Sequence, residues 1–283
     1  MSRWPSDDSR WLPITANSGE PGNASMGRWR RTLVNMRFVS SCSAPRAHTT
    51  RRPAVASLWR RARAKAFLGD RWLLTKSLVA HTQARADMVR LGNEYGGWWV
   101  PSSILGPASV VYSVGVGEDV TFDVELASRF HCAVHGFDPT PRARLYVECQ
   151  KPSCFVFVPL ALWTTEGSVC LYTPGTAQHV SLSVTDRDRT GEFLEVACDT
   201  LTGFRRRFAH DHVDLLKMDI EGAEAAVLEW LIDSDERPRI IAVECELYEP
   251  WWRTRRRLIS LMKCGYRHVH SEGANHVFVR EDA

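Results

Sequence analysis

The sequence predicts an α/β fold: a mostly parallel sheet with helices on both faces, closed by an antiparallel hairpin at the C-terminus. Three observations carry that prediction. From Gly96 onward, strand-like and helix-like runs alternate, as they do when helices cross between parallel strands. The first apolar run ends in glycines and the second in an acid, a pattern of ligand contacts beyond the carboxyl ends of strands. Two short β-rich runs, YRHVHS and NHVFVR, follow each other at the end of the chain.

Taken in order, ASVVYSVGVG (Ala108–Gly117) reads as a buried strand and DVTFDVELASRF (Asp119–Phe130) as a helix, the latter on length more than period. HCAVHGFD (His131–Asp138) is a second strand and CFVFVPLAL (Cys154–Leu162) a third. SVCLYT (Ser168–Thr173) and FLEVAC (Phe193–Cys198) are shorter strand candidates. VDLLKMDIEG (Val213–Gly222) is a strand running into a tight turn. GAEAAVLEWLI (Gly222–Ile232) is a helix with Ala223, Val227, Trp230 and Leu231 on one face, and Glu224 is assigned to its surface. RIIAVECE (Arg239–Glu246) is a further sheet strand. Trp251–Cys264 is a helix with Trp251, Leu258, Ile259 and Met262 inward and Arg253, Arg255, Arg256 and Arg257 mostly outward.

Charge divides the chain. It holds 36 Lys and Arg and 33 Asp and Glu; residues 1–69 take 13 and 3 of these, leaving 23 and 30 for the rest. A basic head, residues 1–70, thus precedes a mildly acidic body, residues 71–283, with the motifs in about 92–280. The head reads as an Arg-rich disordered extension, with organellar targeting as the other reading of its Arg- and Ser-rich, acid-poor composition. Helix is expected somewhere in Ser57–His81. The acidic body speaks against a nucleic-acid partner. No run approaches the roughly 20 apolar residues of a bilayer span, and no secretory signal is visible, so a cytoplasmic location is the expectation. The eight cysteines form no C-x-x-C pair or zinc spacing and read as free, mostly buried thiols. No metal is expected.

The chemistry should sit at the strand ends. After the first strand come Gly115-Val116-Gly117-Glu118-Asp119, small residues that let backbone turn sharply near a ligand. The third glycine of a dinucleotide fingerprint would fall at Val120, which argues against a nicotinamide cofactor. After the second strand come Asp138 and Pro139, the acid placed to accept from ribose hydroxyls. After the fourth comes Asp219-Ile220-Glu221-Gly222, whose two carboxylates point to one side if the segment is extended. Capping of the following helix is the simpler role for them. Glu244 ends the fifth strand near the same place, and Trp98 and Trp99 precede the first.

The runs VDLLKMDIEGAEAAVLEWL and VVYSVGVGEDVTFDVELASRFHCAVHGFDPTP resemble the FkbM-type methyltransferase family, over roughly Tyr95 to Val279. The resemblance implies a Rossmann-like class I methyltransferase sandwich with a seven-stranded sheet and S-adenosyl-L-methionine as methyl donor. It implies O-methylation of a hydroxyl on a small molecule or sugar. It carries Gly115 and Gly117 to the methionine side of the cofactor, Asp138 to its ribose, and Leu160, Ala161 and Leu162, with Trp163, near the adenine; Glu118 and Pro139 beside them are counted as cofactor-binding. Asp219 and Glu221 fall beside the transferring methyl group. The family most commonly has glutamate where Asp138 stands, so the reach to the ribose is shorter by one methylene.

Methyl transfer from a sulfonium needs acceptor oxygen, carbon and sulfur in line, with a base where the acceptor is an unactivated hydroxyl. Asp219, Glu221, Glu244 and a histidine such as His268 or His270 are the candidates. A nicotinamide-dependent oxidoreductase and a non-catalytic nucleotide-binding domain are the competing functions for such a fold.

Overall fold

Five parallel strands place their carboxyl ends in one row, and that row builds the site. In a computed structural model of the chain, the described residues are 69–173, 183–184, 192–245 and 249–282. The expected extension and any targeting role of residues 1–68 lie outside them.

Helix α1 covers residues 69–79, within the segment expected to hold helix. There follow β1 (Met88–Leu91), β2 (Trp98–Pro101), β3 (Val111–Val114), α2 (Thr121–Phe130), β4 (Val134–Phe137), α3 (Pro141–Gln150), β5 (Phe155–Val158), β6 (Ala161–Leu162), β7 (Gly167–Tyr172) and β8 (Phe193–Asp199). The chain continues through α4 (Leu201–Phe208), β9 (Leu215–Met218), α5 (Glu224–Asp233), β10 (Ile240–Glu244), α6 (Trp251–Lys263), β11 (Tyr266–Glu272) and β12 (Asn275–Arg280). The main sheet has seven strands in the order β11-β12-β10-β9-β3-β4-β5. β5, β4, β3, β9 and β10 run parallel, and β12 is antiparallel to both β10 and β11. The chain winds outward from β3 to β5, then returns to β9 on the other side of β3. The seam between β3 and β9 is the switch point at which sheets of this kind open a crevice.

The central parallel strands are mostly apolar because both faces are covered, with Ser113, His135 and Lys217 as buried polar exceptions. Tyr112, Leu216, Ile241 and Phe278 face one core, which takes in Leu74 and Leu78 of α1, Phe204 of α4 and Leu258 of α6. Val111, Leu215, Ile240, Ala242 and Val277 face the other, with Phe122 and Leu126 of α2 and Leu91, Trp98 and Val100 of the β1–β2 hairpin. Each leucine so buried contributes about 1.5–3 kcal/mol.

Three expectations change. The run Cys154–Leu162 is not one strand: Phe155–Val158 pairs with β4, while Ala161 and Leu162 leave the main sheet. They join β7 and β8 in a separate sheet of order β6-β8-β7, built from the two shorter strand candidates. Pro159, which has no N–H to donate, follows the end of β5. Arg257 points inward; its side chain is 10% exposed and its guanidinium bonds Glu229 at 2.8 Å and Glu249. Of the described cysteines, Cys132, Cys198 and Cys245 are buried, whereas Cys149 and Cys154 are exposed.

His268 and His276 are buried on the hairpin and form a chain of hydrogen bonds with Thr82. The Thr82 hydroxyl donates to the Leu78 carbonyl at 3.0 Å, so it accepts from His268 Nδ1–H at 2.8 Å. His268 Nε2 is then an acceptor, and His276 Nδ1–H donates to it at 3.3 Å. Burial pushes the two imidazoles down to about 4 and about 3, so both are neutral.

Candidate functional site

Register sets the geometry. Val158, Phe137, Val114, Met218 and Val243 pair across neighbouring strands as one row. The next residue on each strand, Pro159, Asp138, Gly115, Asp219 and Glu244, therefore forms a rim. Four of these five are candidates from the sequence. They border a cavity of about 680 Å³, within the usual range for a small-molecule site. Gly115, Gly117, Glu118, Asp138, Pro139, Ala161, Asp219, Glu221 and Glu244 all line it. Leu160 does not: it packs, partly buried, against the main core, and Leu162 and Trp163 of the small sheet form that wall with Ala161.

Two loops meet at the seam. Gly115 has φ +83°, and a Cβ there would overlap the Asp219 carbonyl oxygen, so only glycine fits. Gly117 has φ +58°, with open space where a Cβ would point. Its N–H donates to Asp138 Oδ2 at 2.9 Å. Asp138 Oδ1 accepts from the Thr140 N–H at 2.8 Å and the Thr140 hydroxyl at 2.6 Å. This carboxylate thus braces the glycine loop against the start of α3 as well as bordering the cavity. Thr140 in turn caps α3, accepting from Ala143 N at 3.3 Å. Arg142 on α3 pairs with Glu118.

Lys217 was not singled out from the sequence. It is 6% exposed and lies beneath the cavity, its ammonium donating to the Gly115 carbonyl at 3.1 Å and standing 3.9 Å from Asp219 Oδ2. The Trp98 ring covers it, 5.3 Å from the nitrogen to the ring centre, a cation–π distance. One cation thus ties both loops of the seam to the β1–β2 hairpin.

Asp219 and Glu221 are not on an extended segment. The chain turns after β9, and Glu221 has φ +51° while Gly222 has φ +97°. For a residue with a Cβ the left-handed region costs roughly 1–2 kcal/mol. Glu224, expected on the helix surface, is 4% exposed and faces back into this turn. Its carboxylate accepts from Ile220 N–H at 3.1 Å and Gly222 N–H at 2.8 Å. Burial pushes it up to about 7 despite those bonds. Ser183 donates its hydroxyl to the Glu221 carbonyl at 2.7 Å.

Glu244 pairs in register with Asn275 of β12, and both line the cavity with Tyr95 and Trp98. The histidine candidates do not. His268 is held by Thr82 and His276, and His270 lies against Trp99 with ring centres 4.7 Å apart and planes tilted by 37°. Among the described residues no cluster of histidine, cysteine or acid could hold a metal, and no helix is long and apolar enough to cross a membrane.

The family model for the methyltransferase FkbM domain matches residues 109–268, more than half of the 283-residue chain. The chain belongs to the FkbM methyltransferase family. It is similar to the probable methyltransferase-like protein 24 of human and of rat, 30% identical to each over 142 residues. That match covers 50% of this chain and 33% of each relative, so the chain spans about a third of the length of the curated relatives it matches. Among solved structures it is similar to a Methanococcus jannaschii fibrillarin pre-rRNA processing protein, with 12% identity and TM-score 0.37 over 62% of this chain and 68% of that one. An Aeropyrum pernix fibrillarin with natively bound S-adenosyl-L-methionine matches at 12% identity and TM-score 0.34, over 71% and 85%. The architecture itself rests on the strand order. Members of the family take their methyl group from S-adenosylmethionine, and this cavity suits it: a glycine loop with open space beside Gly117, a buried acid at the second strand end, and an apolar wall.

Proposed function

We propose that this FkbM-family domain methylates a hydroxyl of a small molecule or sugar. The observation that carries the proposal is the rim: a glycine loop and Asp138 on one side of the seam, and Asp219, Glu221 and Glu244 on the other, around one cavity. Bound S-adenosylmethionine supplies a methyl group already activated for displacement. The residues of this chain then bind, align and take up a proton. Gly115, Gly117 and Glu118 border the methionine end. Asp138, with three of about four acceptor positions in use, keeps one for a ribose hydroxyl. Pro139 fixes the loop beside it, and Ala161, Leu162 and Trp163 form the flat apolar surface for the adenine. Asp219, held by Lys217, and Glu221 face the reacting centre. Glu244 or Glu221 takes the acceptor's proton.

Titration of the purified protein with S-adenosylmethionine, S-adenosylhomocysteine and NAD(H) tests the binding half. Micromolar affinity for the first two without the third is expected; affinity for NAD(H) alone overturns the reading. Asp138→Ala should weaken S-adenosylhomocysteine binding by about 1.5–3 kcal/mol, and an unchanged affinity in the folded variant removes Asp138 from the cofactor site. Glu244→Gln should lower turnover on an acceptor found by screening and leave cofactor affinity intact.

A further inference from the structure

We propose that Glu224 and Ser183 are positioning residues that act through Glu221, gripping the peptide between Glu221 and Gly222 so that Glu221 keeps the left-handed conformation in which it borders the cavity. The proposal rests on the turn Asp219–Gly222 belonging to the methyl-transfer site.

The grip is visible atom by atom. The Glu221–Gly222 peptide has one carbonyl and one N–H. Ser183 donates to the carbonyl at 2.7 Å, and the Glu224 carboxylate accepts from the N–H at 2.8 Å. The second oxygen of Glu224 accepts from Ile220 N–H at 3.1 Å, on the near side of Glu221. Three bonds thus bracket a residue with φ +51°. A non-glycine residue persists in that region when its surroundings over-determine it, and such outliers gather at functional sites.

Capping of α5 does not account for Glu224. A capping side chain serves the free N–H groups of a helix's own first turn, or reaches back from the third position to the cap residue. Glu224 is the first residue of α5, whose cap is Ala223, and it reaches past Ala223 to Gly222 and Ile220. A carboxylate 4% exposed is costly to bury, and here both its oxygens are spent on the turn. Ser183 arrives from a different direction. It is paired through its backbone with Tyr172 at the end of β7, at 2.7 and 3.1 Å. Its neighbour Val184 and Leu171 of β7 line the cavity. The grip therefore joins the turn to the wall of the small sheet, so the two sides of the pocket are set together.

The test is a double-mutant cycle on the full chain at pH 8, read by S-adenosylhomocysteine affinity and by urea midpoint. In the native sequence Glu224→Gln should weaken binding about ten-fold and Ser183→Ala about three-fold, the scale of one lost hydrogen bond. In a Glu221→Gly background the left-handed region costs nothing, and Glu224→Gln should then weaken binding less than about two-fold. Equal losses in both backgrounds overturn the proposal, as does a lowered midpoint with unchanged affinity. Should Glu224→Gln not fold, Ser183→Ala with Glu221→Gly runs the same cycle. If the native protein binds no S-adenosylhomocysteine, the cofactor reading fails on its own. The urea midpoints then decide the grip: additive shifts refute it, non-additive shifts sustain it.

Discussion

Two turns face each other across the β3–β9 seam and solve one backbone problem in opposite ways. Both need positive φ just beyond a strand end. The turn after β3 meets the need with Gly115 at +83° and Gly117 at +58°. The turn after β9 places Glu221 at +51° and holds it with a buried carboxylate and a serine hydroxyl. Glycine is the cheaper solution where only backbone is wanted. A strained glutamate is retained where the turn must also present a side chain, and the cost moves into the groups that hold it.

The contrast can be broken most severely at Gly115. Gly115→Ala meets both a forbidden φ and the Asp219 carbonyl, so a loss of roughly 3–5 kcal/mol in unfolding free energy and no measurable S-adenosylhomocysteine binding are expected. A variant of near-native stability that still binds would show that the two loops can move apart.

A middle-sized effect is a difference in pH response. Each turn is braced by a buried carboxylate, Asp138 on the Gly117 N–H and Glu224 on the Gly222 N–H; the response to follow is that of Glu224, raised from 4.5 to about 7 by burial, partly offset by its backbone bonds and reinforced by the nearby charge of Asp219. A raised folded-state value means the protonated form is the favoured one. Its contribution to stability is complete below about 4.5 and is lost as pH rises through about 7. The stability advantage of the native protein over Glu224→Gln should therefore be largest near pH 5 and smallest near pH 8. A gap that widens with rising pH, followed by urea unfolding, would contradict this.

The smallest effect sharpens the comparison. Gly117→Ala meets open space and suffers only the left-handed penalty, about 1 kcal/mol. A loss as large as that at Gly115 would mean that ligand, and not φ, excludes a side chain there.

The rim was legible in the sequence because four of the five parallel strands are mostly apolar runs that end at, or are followed directly by, a glycine or an acid; Pro159 follows the fifth, β5. Gly115, Asp138, Asp219 and Glu244 were found by that rule, and the main sheet with them. What escaped had little periodic signal. α3 buries only Ala143 and Val147, and α4 only Leu201 and Phe204, too few to show a helical face. Their signal was at the ends: Thr140 before Pro141, and Thr200 before Leu201, are cap residues. Glu224 and Arg257 follow a surface pattern in sequence and are internal because of their partners: the N–H groups of the preceding turn for Glu224, and Glu229 and Glu249 for Arg257. The histidine candidates lie off the rim: His268 is hydrogen-bonded in the hairpin core to Thr82 and His276, and His270 lies against Trp99.

The level register across the five parallel strands also makes the sheet a ruler. Neighbouring strands are spaced by about 4.8 Å, so the interval from Asp138 on β4 to Glu244 on β10, three strands over, is roughly 14 Å. Whatever is read by both residues together must match that length, and donor plus acceptor laid end to end are sorted by size before any single contact is made. The graduations cannot be adjusted singly. A slip of one residue in any strand would move its mark by about 3.3 Å and turn its side chain to the opposite face.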